Sequence, residues 1–241
     1  MIDYPPYDSL IKIEPHMLIE KTENINKTFS EETVPIPSRI ESINLLRSIH
    51  KFQSSFFFEL FGALKSKFLK NCLHYDKSPH LQQISLNFIT EIFDDDSYGV
   101  SNETVYDLFY DIFQFVESDN INLKNMAKTA IKTMAEKVSC DAKIIVLIES
   151  LKNSDDNLCA FIFECFKNGI ENLRGYIYLN YNFNDIFEKL NLEEISDKDY
   201  IIKIKQLFHI LKNSLDSNDE VEIYNSLTDK YQNLYRNLTS Q

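Results

Sequence analysis

From Asp119 to Val138 the apolar positions Leu123, Met126, Ala127, Ala130, Ile131, Met134 and Val138 recur at steps of three and four, while Lys124, Lys128, Lys132, Glu136 and Lys137 fall elsewhere on the circumference. This is the pattern of one amphipathic helix buried along a stripe, with Ala127 and Ala130 small enough to admit a close neighbour. The same period recurs along the chain. It predicts a helix opening at Ser38 through a Ser38–Glu41 capping box, then helices over 54–73, 79–93, 102–116, 141–151, 156–170, 197–215 and 218–238, the last entered through a Ser217–Glu220 capping box. Ser78-Pro79 supplies an N-cap followed by proline at the first helical position. Gly169 or Gly175 is expected to stop the 156–170 helix, and 174–194 fits either a short helix near 184–190 or an irregular aromatic plug. Successive helix pairs with polar corners describe an all-α chain, an α-solenoid over 38–238 whose last pair forms a terminal cap.

Residues 1–37 are a different material. Pro5, Pro6, Pro15, Pro35 and Pro37 interrupt each candidate helix, which predicts an extended arm with a short helix over 16–22 at most. Such an arm is ordered either by packing back on its own helices or by a partner surface.

Composition narrows the chemistry. With only 4 Gly and 6 Pro in 241 residues, and little β-branched alternation, an all-helical chain is the economical reading. The formal charge of −12, from 37 acidic and 25 basic residues, argues against a nucleic-acid or anionic-membrane binder. Cys72, Cys140, Cys159 and Cys165 form no CxxC pair, so they read as reduced core residues and no metal or other cofactor is expected. The amino terminus has no signal-peptide pattern, and the longest aliphatic run, 144–148, is too short for a bilayer, so a cytoplasmic chain is expected. No Gly-rich phosphate loop exists, and His16, His50, His74, His80 and His209 are scattered, so an enzyme is not expected. The acidic turn from Asp94 to Gly99 fails as a calcium loop because Val105 occupies its twelfth position.

Two stretches go further. Residues 42–52, SINLLRSIHKF, resemble the NLIRSLAKY-type helix of TOG domains of the crescerin and CLASP type. The 119–138 stretch is similar, without gaps, to a turn and helix of the same domains, and 142–153 resembles the helix and turn that follow. The resemblance covers about residues 38–172. It implies HEAT-like antiparallel helix pairs whose turns, at 34–37, 75–79, 118–120, 153–156 and 191–196, line an edge that contacts tubulin. Carried over by position, the edge would use Ile36, Arg39, Lys77, His80, Asn120, Lys124 and Lys128. Ile36 stands where the family usually has tryptophan, and Pro79, His80 and Ala160 stand where it has basic residues. Asp155 and Asp156 meet an acidic tubulin surface unfavourably. The expectation is a non-enzymatic microtubule-associated protein fixed in a ciliary, axonemal or other cytoskeletal assembly, docking through those turns and the 1–37 arm. The rival is a general HEAT or armadillo adaptor that grips a peptide or helix of a non-tubulin partner.

Overall fold

Proline decides where the chain first becomes helical. In the computed structural model, which describes residues 4–95, 100–172 and 177–240, Pro15 opens α1 (Pro15–Ser30) and Pro37 sits in the first turn of α2 (Ile36–Phe52), where a missing N–H costs nothing. The remaining helices are α3 (Ser54–Phe68), prolonged by a π turn over Leu69–Leu73, then α4 (Pro79–Asp95), α5 (Asn102–Val116), α6 (Ile121–Lys137), α7 (Asp141–Ser150), α8 (Asp156–Glu171), α9 (Ile177–Asn180), α10 (Phe183–Leu190), α11 (Lys198–Ser214), α12 (Ser217–Ser226) and α13 (Asp229–Thr239). The described residues contain no strand, and none of their helices is long and apolar enough to cross a membrane.

The chain divides into two compact units, Met1–Thr104 with Gln114–Ala130 and Val105–Phe113 with Ile131–Gln241. In the first, α1 packs on α2 and α3, α2 also packs on α3 and α4, and the π turn sits against α1, α3 and α4. Its centre is aromatic. Phe57 and Phe61 stack at 5.4 Å, Phe88 meets Phe57, Phe61 and Phe68 edge-on at 5.6–6.1 Å, and Phe29 of α1 reaches Phe68 at 5.9 Å. Such pairs add about 0.5–1.5 kcal/mol each beyond the area they bury. Of the consecutive phenylalanines only Phe57 is fully buried, while Phe56 keeps 37% of its surface exposed.

In the second unit, α7 packs on α8 and α10, α11 on α8 and α13, and α9 on α12. Polar side chains pin the seams between these helices. The Tyr200 hydroxyl donates to the Ile148 carbonyl at 3.1 Å, and Lys203 Nζ reaches the carbonyls of Ser154 at 2.6 Å and Leu151 at 3.2 Å. The carboxylate of Asp141 accepts from the Asn182 amide, and that of Asp219 from the Ile177 amide. Gly169 lets α8 approach α6, because a Cβ there would lie 2.3 Å from the Ala135 carbonyl oxygen and 2.9 Å from Lys143 Nζ.

Several expectations change against these coordinates. The stretch taken for an extended arm contains the 16-residue α1, which buries Ile25 and Phe29, and it packs back on its own unit. No capping box forms at Ser38, because Pro35 and Pro37 begin α2 two residues earlier and leave Ser38 inside the first turn. The cap of α12 is Asp216, whose carboxylate accepts from the Asn218 and Asp219 amides, rather than Ser217. The final 218–238 helix is broken at Leu227 and Thr228, both extended. The Asn184 side-chain amide holds this break by accepting from the Thr228 amide at 3.0 Å and donating to the Ser226 carbonyl at 2.9 Å. Gly169 lies within α8 instead of ending it, while Gly175 and residues 96–99 of the acidic turn lie outside the described residues. Of the two readings of 174–194, the short helix is realised as α10, ending on Asn191 at φ 44°.

Replacing Gly169 with alanine is expected to force α8 off α6 and to cost roughly 1–3 kcal/mol, the usual range for overpacking. Urea denaturation of the Gly169→Ala variant checks this, and an unchanged midpoint contradicts it.

Candidate functional site

The first unit brings three turns side by side through contacts that begin with one buried cation. Arg39, in the second turn of α2, is fully buried, and its guanidinium donates to the carbonyls of Glu32 at 2.8 Å, Glu31 at 3.3 Å and Asn71. Its flat face lies 4.3 Å from the centre of the Tyr75 ring. The carbonyl of Asn71 is presented by the π turn, whose own side chain donates to the Phe29 carbonyl at 2.6 Å. The loop over 31–35 is thereby tied to the turn over 74–78. At the surface, Lys70 pairs with Glu32 at 2.7 Å and holds that carboxyl below its ordinary value, with Lys77 adding to the pull. The third turn joins through His74, whose ring stacks on Phe115 of α5 at 5.4 Å.

Local chemistry shapes each turn. The Ser78 hydroxyl accepts from the Leu81 amide at 3.2 Å and caps α4. The Asn120 carboxamide oxygen accepts from the amides of Asn122 at 3.1 Å and Leu123 at 3.3 Å and caps α6. The stripe of α6 is buried at Leu123, Ala127, Ala130, Ile131, Met134, Ala135 and Val138, whereas Met126 is half-buried.

The residues expected on a binding edge divide accordingly. Lys77 and His80 are exposed around the second turn, and Asn120, Lys124 and Lys128 are half-buried at the third turn and along the first turns of α6. Ile36 is half-buried at the start of α2. Arg39 has no surface to offer a partner: it fastens the turns from beneath, because the extended Pro35 start of α2 aims it inward at the loop carbonyls. The edge also carries groups that helical periodicity did not single out. Ile121 exposes 70% of its surface at the first position of α6, and Glu31, Glu32, Asp76, Glu117 and Asp119 are all exposed. A lone apolar residue at a helix start has no periodic partner, so the pattern search passes over it.

The N-terminal segment of the unit is held elsewhere. Arg47, also buried, grips Glu91 with two parallel bonds of 2.7 and 2.8 Å, donates to the Pro5 carbonyl at 2.8 Å, and lies 3.6 Å from the Tyr4 ring centre. Lys51 donates to the carbonyls of Tyr7 and Asp8, and the Tyr7 hydroxyl bonds His50 Nδ1 at 3.0 Å. This strap lies about 12–18 Å along α2 from Arg39, at 1.5 Å per residue, so it is held away from the turns.

In the second unit the notable titratable group is Lys143. It is 2% exposed, donating to the Ala135 carbonyl at 2.9 Å and the Gly169 carbonyl at 3.5 Å, in the last turns of α6 and α8, with the Tyr181 ring 5.5 Å away. Burial pushes its ammonium down to about 7, opposed by the Cys140 thiol, which burial in turn pushes up. Among the described residues no group of His, Cys, Asp and Glu side chains is arranged to hold a metal ion. No protein-family model matches this chain, and no curated protein matches it.

Truncating Arg39 to methionine leaves the Glu31, Glu32 and Asn71 carbonyls without their donor and is expected to cost about 3–5 kcal/mol. Hydrogen exchange should show lost protection in residues 70–82; retained protection there contradicts the fastening role. For Lys143, a folded value near 7 against roughly 10.4 unfolded means that the unfolded chain binds more protons between them. Its contribution to stability therefore rises as pH rises through that window, by up to about 1.4 kcal/mol per pH unit. The difference in urea midpoint between the protein and Lys143→Met should move in favour of the lysine from pH 7 to 9, and a flat difference refutes the assignment.

Proposed function

We propose that this protein is a non-enzymatic docking module that binds microtubules through the turn edge of its first unit, as a fixed part of a cytoskeletal assembly such as a ciliary axoneme. The observation that carries this reading is the set of three adjoining turns, fastened from below by Arg39 and His74, which offers a preformed surface around Lys77, Lys124 and Ile121. A surface held in advance loses little freedom on binding. The resemblance of 42–52 and 119–138 to TOG-domain segments supports tubulin as the partner. Of the arm, Pro5, Tyr7 and Asp8 are engaged on α2 by Arg47 and Lys51, while Ile11 and Ile19 stay exposed and could add to the docking surface.

A specific observation favours the second reading, an adaptor for a basic partner. Five exposed carboxylates, of Glu31, Glu32, Asp76, Glu117 and Asp119, lie in or beside the same turns as the edge lysines. They oppose an acidic surface and attract a basic peptide or helix.

Co-sedimentation with microtubules separates the two readings. On the microtubule reading the protein pellets at low salt, and a Lys77→Glu, Lys124→Glu double variant weakens binding at least about tenfold, or 1.4 kcal/mol. Absence of pelleting, or pelleting indifferent to both changes, abandons tubulin and leaves the adaptor reading, which predicts that Glu117→Lys weakens capture of a Lys/Arg-rich peptide.

A further inference from the structure

The second unit contains a cleft of about 390 Å³ between α11, α12 and α13, lined by Lys212, Glu220, Val221, Tyr224, Tyr235 and Arg236 among others. Three features make it more than a surface fold. Tyr235 is 2% exposed, yet its hydroxyl has no hydrogen-bond partner among the described residues. A buried hydroxyl in that state is unfavourable unless something brought to it makes the bond. Arg236, exposed on the same helix, lies over the Tyr224 ring with its guanidinium carbon 4.8 Å from the ring centre, which restrains the guanidinium beside the cleft it lines. Lys212 is held nearby by Glu220 at 3.6 Å. Two cations and one carboxylate leave the cleft with a net charge of +1, and Val221, Tyr224 and the Tyr235 ring supply its apolar lining.

We propose that this cleft is a binding site for a small monoanionic ligand, a carboxylate carried on a flat apolar or aromatic body. The carboxylate would accept from the Arg236 guanidinium and the Tyr235 hydroxyl, satisfying the latter, while the body packs against Val221 and Tyr224. A guanidinium matches the two oxygens of a carboxylate with parallel bonds, which a bare ion cannot use together with the apolar lining. The site belongs to the second unit alone and is independent of any docking by the first.

The probes are benzoate and inorganic phosphate, titrated into the full-length protein at constant ionic strength and followed by amide NMR. Benzoate is expected to shift resonances of 220–239 saturably, at about millimolar affinity for a probe of nine heavy atoms. Arg236→Gln should weaken it at least tenfold, Tyr235→Phe several-fold, and Lys27→Gln in α1 not at all. Tyr235→Phe removes only a hydroxyl without a partner, so it should melt at or above the temperature of the parent protein, which keeps the comparison free of misfolding. Lack of saturable benzoate binding, indifference to Arg236→Gln, or phosphate binding as tightly as benzoate would each overturn the proposal.

Discussion

A guanidinium taken wholly out of water must find acceptors for its donors, or the helix that carries it cannot stay where it is. Arg39 meets most of that demand: its two terminal nitrogens donate to three main-chain carbonyls from two separate loops and its face lies over Tyr75, while Nε has no acceptor among the described residues. The entry angle of α2, the position of the π turn and the closeness of the first two turns all follow from it. Were the π turn an ordinary helical continuation, the carbonyl of Asn71 would point along the axis toward the amide four residues on, and Arg39 would lose an acceptor. The irregularity after Phe68 is therefore part of the same arrangement as the proline start of α2.

Buried cations recur as fasteners in this acidic chain. Arg47 holds the N-terminal strap against α2 and α4, and Lys143 closes the last turns of α6 and α8 by donating to carbonyls near their ends. Each is directed mainly or partly at backbone oxygen, so the net charge of −12 says little about where the structure places its positive groups. Most of the acidic excess remains on the surface.

How much could be read in advance depends on the physics of each feature. The stripes of α4, α5, α6 and α8 were legible because the 3.6-residue period and local caps such as Ser78 are encoded within a few neighbouring residues. The break at Leu227–Thr228 was not, since it is held by Asn184, more than forty positions earlier, and no local pattern announces a distant carboxamide. The helix over 15–30 was hidden by the prolines at its start and on either side of it; it is stabilised by two buried residues, Ile25 and Phe29, on a helix that packs against α2 and α3. Arg39 was placed on the edge by position in the resemblance to TOG domains, and only the inward path of the preceding loop reverses that. For the edge as a whole, the turns were foreseeable and their charge balance was not: exposure of the carboxylates at each turn is decided by which neighbouring side chains the fold buries.

The way Arg39 is satisfied has a bearing on how this surface can change over time. It reads oxygen atoms of the main chain, which every amino acid possesses, and ignores the side chains of Glu31 and Glu32. The letters at those positions are thus free to drift without loosening the scaffold beneath. A lineage could swap acid for base along the loop, and with it the preferred neighbour, while inheriting the same architecture intact.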